Sequence, residues 1–237
     1  MSAGPLDILK SAIATTNATT RAISALPQEQ VVDGLKEALA KGVERAVTSL
    51  GRTDGFLTNL NVKIPMPGKL QSVEKTLRVA GQGKLADDFI ASMNRAAEQA
   101  VPTAAAVFGD SIKQMSIADA KSILSSTNDA ATQYFRRTTQ TNLHAKFYPL
   151  VQKATDSVGV TASYKQMMGR FASANSLGGF VGAKSPVRLE AADIDSYVTD
   201  KAMDGLFKMV AEEEKNIRAN PVARTTDLLQ KVFGATK

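Results

Sequence analysis

VVDGLKEALAKGVERAVTSL, residues 31–50, decides how the rest of the chain is read. Leu35, Leu39, Val43, Ala46 and Leu50 recur in steps of three and four, which puts them on one side of an α-helix. Leu26-Pro27-Gln28-Glu29 precedes them, with a proline suited to a first helical turn, and Gly51 follows as a stop.

The same pattern continues outward. Leu85, Phe89, Met93, Ala96 and Ala100 form a second apolar stripe that Pro102 ends, and residues 70–79 read as a short helix closed by Gly81 and Gly83. A helix over residues 103–115 comes next. Ser116-Ile117-Ala118-Asp119 then reads as a capping box with aspartate in place of glutamate, opening a short helix that reaches Leu124. Residues 128–157 are the longest helical run, with Pro149 placed to kink or divide it. Residues 193–219 form a second long helix, broken by Asn220-Pro221, and residues 6–25 and 226–233 are helical segments at the two ends.

Two stretches do not fit a helix. Residues 52–69 centre on Lys63-Ile64-Pro65-Met66-Pro67-Gly68, too rich in proline for a helix or a central strand. Ile64 and Met66 alternate with the prolines, which implies an extended segment laid over an apolar surface. Residues 173–189 carry the glycines and serines of a lid or a long connection. No stretch alternates long enough for a sheet. The chain therefore reads as all-α, a multi-helix bundle of about eight to ten helices by periodicity. It forms a single domain over residues 26–237, with residues 1–25 as a loosely attached N-terminal helical segment.

Composition removes most catalytic chemistry. The chain has one histidine, His144, no cysteine and no tryptophan. A Ser-His-Asp triad has only His144 to draw on, and thiol or cysteine–zinc chemistry is excluded. No Gly-x-Ser-x-Gly elbow appears, and Gly81-Gln82-Gly83-Lys84 is too short for a phosphate loop. The net charge is +6, with a pI near 9.5. The basic residues are dispersed and only 5% of the chain is aromatic, which argues against nucleic acid as the partner. The longest apolar stretch, near residues 100–108, is interrupted by Pro102 and falls short of the roughly 20 residues a membrane span needs. Met1 to Gly4 runs directly into Pro5-Leu6-Asp7, without the basic and apolar regions of a signal peptide.

Several segments in order resemble a bacterial family known as domain of unknown function 4197. They are Lys63-Ile64-Pro65-Met66-Pro67, Asp87-Asp88-Phe89 with Met93-Asn94-Arg95-Ala96-Ala97-Glu98, Tyr134-Phe135-Arg136-Arg137-Thr138, and Asp204-Gly205-Leu206-Phe207. The run from Glu212 through Asn220-Pro221 to Leu228-Leu229 completes the match, which covers residues 31–234. The resemblance implies a helical domain and, from the family's usual export signal, a periplasmic or otherwise exported protein, with a cytoplasmic one as the alternative. It supplies no catalytic residues.

Polar groups on apolar faces are the candidate site. On the helix over residues 193–219 the stripe Val198, Ala202, Leu206, Met209, Ile217 includes Glu213, which implies an inward carboxylate. Asp87, Asn94 and Glu98 form a polar line beside the stripe that begins at Leu85. Arg136 shares a face with Leu143 and Phe147 and is the natural bidentate partner of Glu213 or Glu98. Three readings follow: a structural ion-pair network that fixes helix register, an anchor for the polar head of an apolar ligand, or paired carboxylates for acid–base or metal chemistry. The metal reading is weak, because Thr141 stands where a Glu-x-x-His motif ending at His144 needs a glutamate.

The expected ligand-binding set is Arg136, Glu213, Glu98, Asn94, His144 and Tyr134, with Met167 and Met168 lining an apolar cavity. No catalytic residue, metal or cofactor is assigned. The functional expectation is a non-catalytic helical protein holding an apolar or amphipathic small molecule. The alternatives are a module that docks a partner protein or an anionic membrane surface, and an enzyme using the buried carboxylates.

Overall fold

A computed structural model describes residues 28–126, 129–177 and 191–219, and all regular structure in them is helical. The helices expected over residues 6–25 and 226–233, and the greater part of the 173–189 stretch, lie outside the described residues. Helix α1 (Gln28–Gly51) ends at the glycine where its apolar stripe ends, and Leu35, Leu39, Val43, Ala46 and Leu50 are all buried. After residues 52–67 comes a single 3-10 turn, Gly68–Leu70, then α2 (Gln71–Val79) and α3 (Gly83–Ala100). A second 3-10 turn at Val101–Thr103 leads into α4 (Ala104–Gln114). The later helices are α5 (Ile117–Ser125), α6 (Ala130–Ser157), α7 (Val160–Leu177) and α8 (Ala191–Ala219).

Local chemistry explains several of these limits. The Ser116 hydroxyl accepts from the Asp119 N–H at 3.1 Å, and the Ser116 N–H donates to the Asp119 carboxylate at 3.2 Å, so the capping box is complete. Pro149 does not divide α6, which is one helix from Ala130 to Ser157. Helix α7 runs into the 173–189 stretch expected to be a lid or a long connection and corrects that expectation for residues 173–177. Val160, Met167 and Phe171 are buried at helical spacing, but serine, alanine and Gly169 between them dilute the pattern.

The described residues pack as two compact units. One takes residues 28–45, 108–139 and 209–219. Its core includes Leu35, Leu39, Phe108, Phe135, Val210 and Ile217, with the Phe108 and Phe135 rings edge to face at 4.9 Å. At Gly42, α1 faces α8: a Cβ there would sit 3.5 Å from Glu213 and Ile217, an ordinary van der Waals contact.

The other unit takes residues 46–107 and 140–208. Here α3 packs on α2 and α7, and the Phe89 and Tyr164 rings meet at 5.9 Å. Residues 61–66 alternate as the prolines imply: Val62, Ile64 and Met66 are buried, while Asn61, Lys63 and Pro65 are exposed. The extended segment is thus part of this unit's core. Gly205 of α8 makes room for it, because a Cβ there would stand 2.8 Å from the Phe56 ring and 3.2 Å from Val62.

Candidate functional site

An extended segment has no helical ladder to satisfy its peptide groups, so side chains must do it. Asn94, fully buried on α3, does this for Ile64. Its Oδ1 accepts from the Ile64 N–H at 2.9 Å, and its Nδ2 donates to the Ile64 carbonyl at 2.9 Å. The second amide hydrogen goes to the Ile90 carbonyl at 2.8 Å.

One turn further along α3, the Glu98 carboxylate accepts from the backbone N–H groups of Asp54, Phe56 and Leu57 at 3.2, 3.1 and 3.4 Å. Arg95 donates to the same carboxylate at 2.9 Å and reaches Asp54 at 2.8 Å. Hydrogen bonding to Glu98, with its charge and that of Asp54, holds the Arg95 guanidinium more firmly protonated than usual. From α8, the Tyr197 hydroxyl donates to the Pro65 carbonyl at 3.1 Å and the Lys208 ammonium to the Asn61 carbonyl at 2.9 Å. Burial raises the Tyr197 pKa. Asp87 does not join this set: it is exposed and paired with Arg78 at 2.6 Å.

The second carboxylate centre lies in the other unit, and it corrects the expectation about Glu213. The deeply buried glutamate is Glu214, with its side chain 4% exposed. It accepts from the N–H groups of Ala131 and Thr132 at 3.0 and 2.9 Å and from the Thr132 hydroxyl at 2.9 Å, capping the first turn of α6. Arg218, one turn on, donates to it at 2.9 Å and also to the Ile123 carbonyl of α5 at 2.9 Å. Glu213 stands at the edge of the buried face, where Arg45 meets it at 3.6 Å.

The reason is geometric. The buried face of α8 runs through Met203, Phe207, Val210, Glu214 and Ile217, steps of four and three that bypass position 213. The arginine partners of Glu98, Glu213 and Glu214 are Arg95, Arg45 and Arg218 rather than the expected Arg136, which is half-buried on α6.

The remaining candidates are dispersed. Tyr134 is buried and donates its hydroxyl to the Ser111 carbonyl at 3.0 Å, with Arg137 over its ring at 5.6 Å. His144 is half-exposed, stacks on Tyr148 and lies 3.8 Å from Asp200. Met167 is fully buried and Met168 only partly so. The sequence reading missed Arg95, Arg218 and Glu214, although Arg95-x-x-Glu98 and Glu214-x-x-x-Arg218 have the spacing of intrahelical ion pairs. Among the described residues, no buried side-chain nitrogen or oxygen lacks a hydrogen-bond partner, no group of three acidic or histidine residues is placed to hold a metal ion, and no helix is long and apolar enough to cross a membrane.

These contacts define an all-helical protein whose inward polar side chains hold its own backbone. The chain belongs to the family described as protein of unknown function (DUF4197), whose model matches residues 25–234. No curated protein and no solved structure matches it.

Proposed function

We propose that this protein is a non-catalytic interaction module that acts through its outer surface. One observation supports this over a small-molecule carrier. Asn94, Glu98 and Tyr134, put forward as ligand anchors, spend their polar atoms on backbone groups of the chain itself. A carboxylate with three backbone donors and an arginine has little capacity left for a ligand head or a metal. The same saturation weighs against the enzyme reading, because a general acid or base must be free to exchange its proton with a substrate.

Native mass spectrometry of gently purified protein tests the proposal. The expected result is the apo mass. A stoichiometric organic adduct that extracts into solvent overturns it in favour of a small-molecule carrier. The proposal includes an exported location, for which the family resemblance is the support. Fractionation of cells expressing the natural gene checks it, and a purely cytoplasmic protein would refute that part.

A further inference from the structure

We infer that the turn carrying Leu60 is a docking point for an anionic lipid surface, a step that rests on the interaction-module reading. Three large apolar residues are exposed among the described ones: Leu60 at 90%, Val79 at 84% and Ile117 at 47%. Isolated exposed apolar residues need no explanation by themselves. Leu60 differs in how it is held and in the charge beside it.

The N–H groups of Val62 and Lys63 both return to the Asn59 carbonyl, at 3.0 and 2.8 Å, so residues 59–63 form a closed turn with Leu60 at its tip. Glu98 grips the chain just before this turn, Asn94 grips it just after, and Lys208 bonds to Asn61 within it. Leu60 is therefore presented by a clamped turn, and little conformational entropy is left to lose on insertion.

Basic charge lies beside the turn. Lys63 is exposed, three residues from Leu60, and the Lys208 ammonium lies 2.9 Å from the Asn61 carbonyl. Neither is paired with a carboxylate among the described residues. Val79 differs in how it is held: it ends helix α2 rather than a clamped turn, its neighbour Arg78 is bonded to Glu74 at 2.8 Å and Asp87 at 2.6 Å, and Lys75 one turn back has no ion pair among the described residues. Ile117 lies two residues from Asp119.

An aliphatic tip with two lysines beside it that pair with no carboxylate among the described residues matches the boundary of acyl chains and anionic headgroups, where the side chain leaves water and each lysine gains from the surface potential. A protein partner is the weaker match, since such contacts centre on aromatic or arginine anchors.

Flotation with phosphatidylglycerol–phosphatidylcholine vesicles and with phosphatidylcholine vesicles alone decides the matter, at about 0.01 M and about 0.15 M salt, between which the Debye length falls from about 30 Å to about 8 Å. The full chain is expected to bind the anionic vesicles, more weakly at the higher salt. Leu60→Asp should reduce binding at least tenfold, which corresponds to about 1.4 kcal/mol and is near the lower bound for burying a leucine. Lys63→Ala should reduce it less, and Val79→Asp should bind like the parent. Melting of each variant in parallel shows that the fold is intact.

Absence of vesicle binding by the parent at low salt overturns the lipid assignment and leaves a protein partner for the module. Binding that Leu60→Asp does not change overturns the assignment to this turn. Neither outcome alters the apo mass, which tests the broader reading separately.

Discussion

Asn94 replaces a β-strand neighbour for Ile64: one side chain accepts from the Ile64 N–H and donates to the Ile64 carbonyl, both at 2.9 Å. Both groups are buried, so removing the amide leaves a donor and an acceptor unpaired, at about 1–3 kcal/mol each. Asn94→Ala is expected to lower stability by roughly 3 kcal/mol by this reckoning. Asn94→Asp keeps the acceptor but loses both donor bonds, so it should also destabilise. Urea melts of both variants check this, and a loss under about 1 kcal/mol for Asn94→Ala would show that water replaces the amide.

Glu214 and Glu213 are neighbours with opposite roles. Glu214→Ala strands the Arg218 guanidinium and uncaps the first turn of α6, and should cost roughly 3–5 kcal/mol as the breaking of a buried pair does. Glu213→Ala removes a pairing at 3.6 Å to an arginine that is 41% exposed, and should cost under about 1 kcal/mol. Denaturant midpoints compare the two directly. A larger loss for Glu213→Ala would reverse the assignment.

The pair shows where sequence reasoning runs out. That a carboxylate faces inward on α8 was legible, because a run of three glutamates cannot all avoid the buried face. Which one does so depends on a register of four and three steps from Met203 onward, which a stripe through Met209 misses by one residue. On α3 the inward Asn94 and Glu98 were legible from spacing, but their partners were not. Those partners are peptide groups of residues 54–64, and no residue type reveals which backbone groups of a loop lack a helical partner. The extended nature of residues 61–66 followed from Pro65 and Pro67. Helix α7 did not follow, because among its described residues the buried apolar positions are Val160, Met167 and Phe171, too widely spaced among serine, alanine and Gly169 to set a period.

The capping box should make part of the stability depend on pH. The Ser116 hydroxyl and then the Ser116 N–H, with the nearby Arg137 guanidinium, hold the Asp119 carboxyl below its ordinary value of 3.8. A folded-state pKa below the unfolded one favours the ionised form on folding. Its contribution is fully present above the unfolded value and disappears as pH falls through the folded one. Asp119→Ala should therefore lower stability by about 1 kcal/mol at neutral pH, typical of a lost cap. The gap between parent and variant should narrow as pH falls below about 4, the unfolded range for aspartate. Urea melts at neutral pH and near pH 3 test this, and a gap that stays constant would remove the electrostatic part of the account.

Two glycine-to-alanine substitutions should move stability in opposite directions. At Gly205 a methyl group would stand 2.8 Å from Phe56 Cε1 and 3.2 Å from Val62 Cβ. Both neighbours belong to the segment 54–64, whose backbone Glu98 holds at Phe56 and Asn94 at Ile64, so neither can shift freely. Gly205→Ala should destabilise by roughly 1–3 kcal/mol, the range for overpacking a filled core. At Gly169 in α7 a Cβ meets nothing within 4 Å and the backbone is helical. Gly169→Ala should stabilise by about 0.5–1 kcal/mol, because alanine has fewer unfolded conformations to lose. Thermal melts of the two variants beside the parent give the signs. A neutral Gly205→Ala would mean that the extended segment yields to α8, and its role as a fixed part of the core would have to be given up.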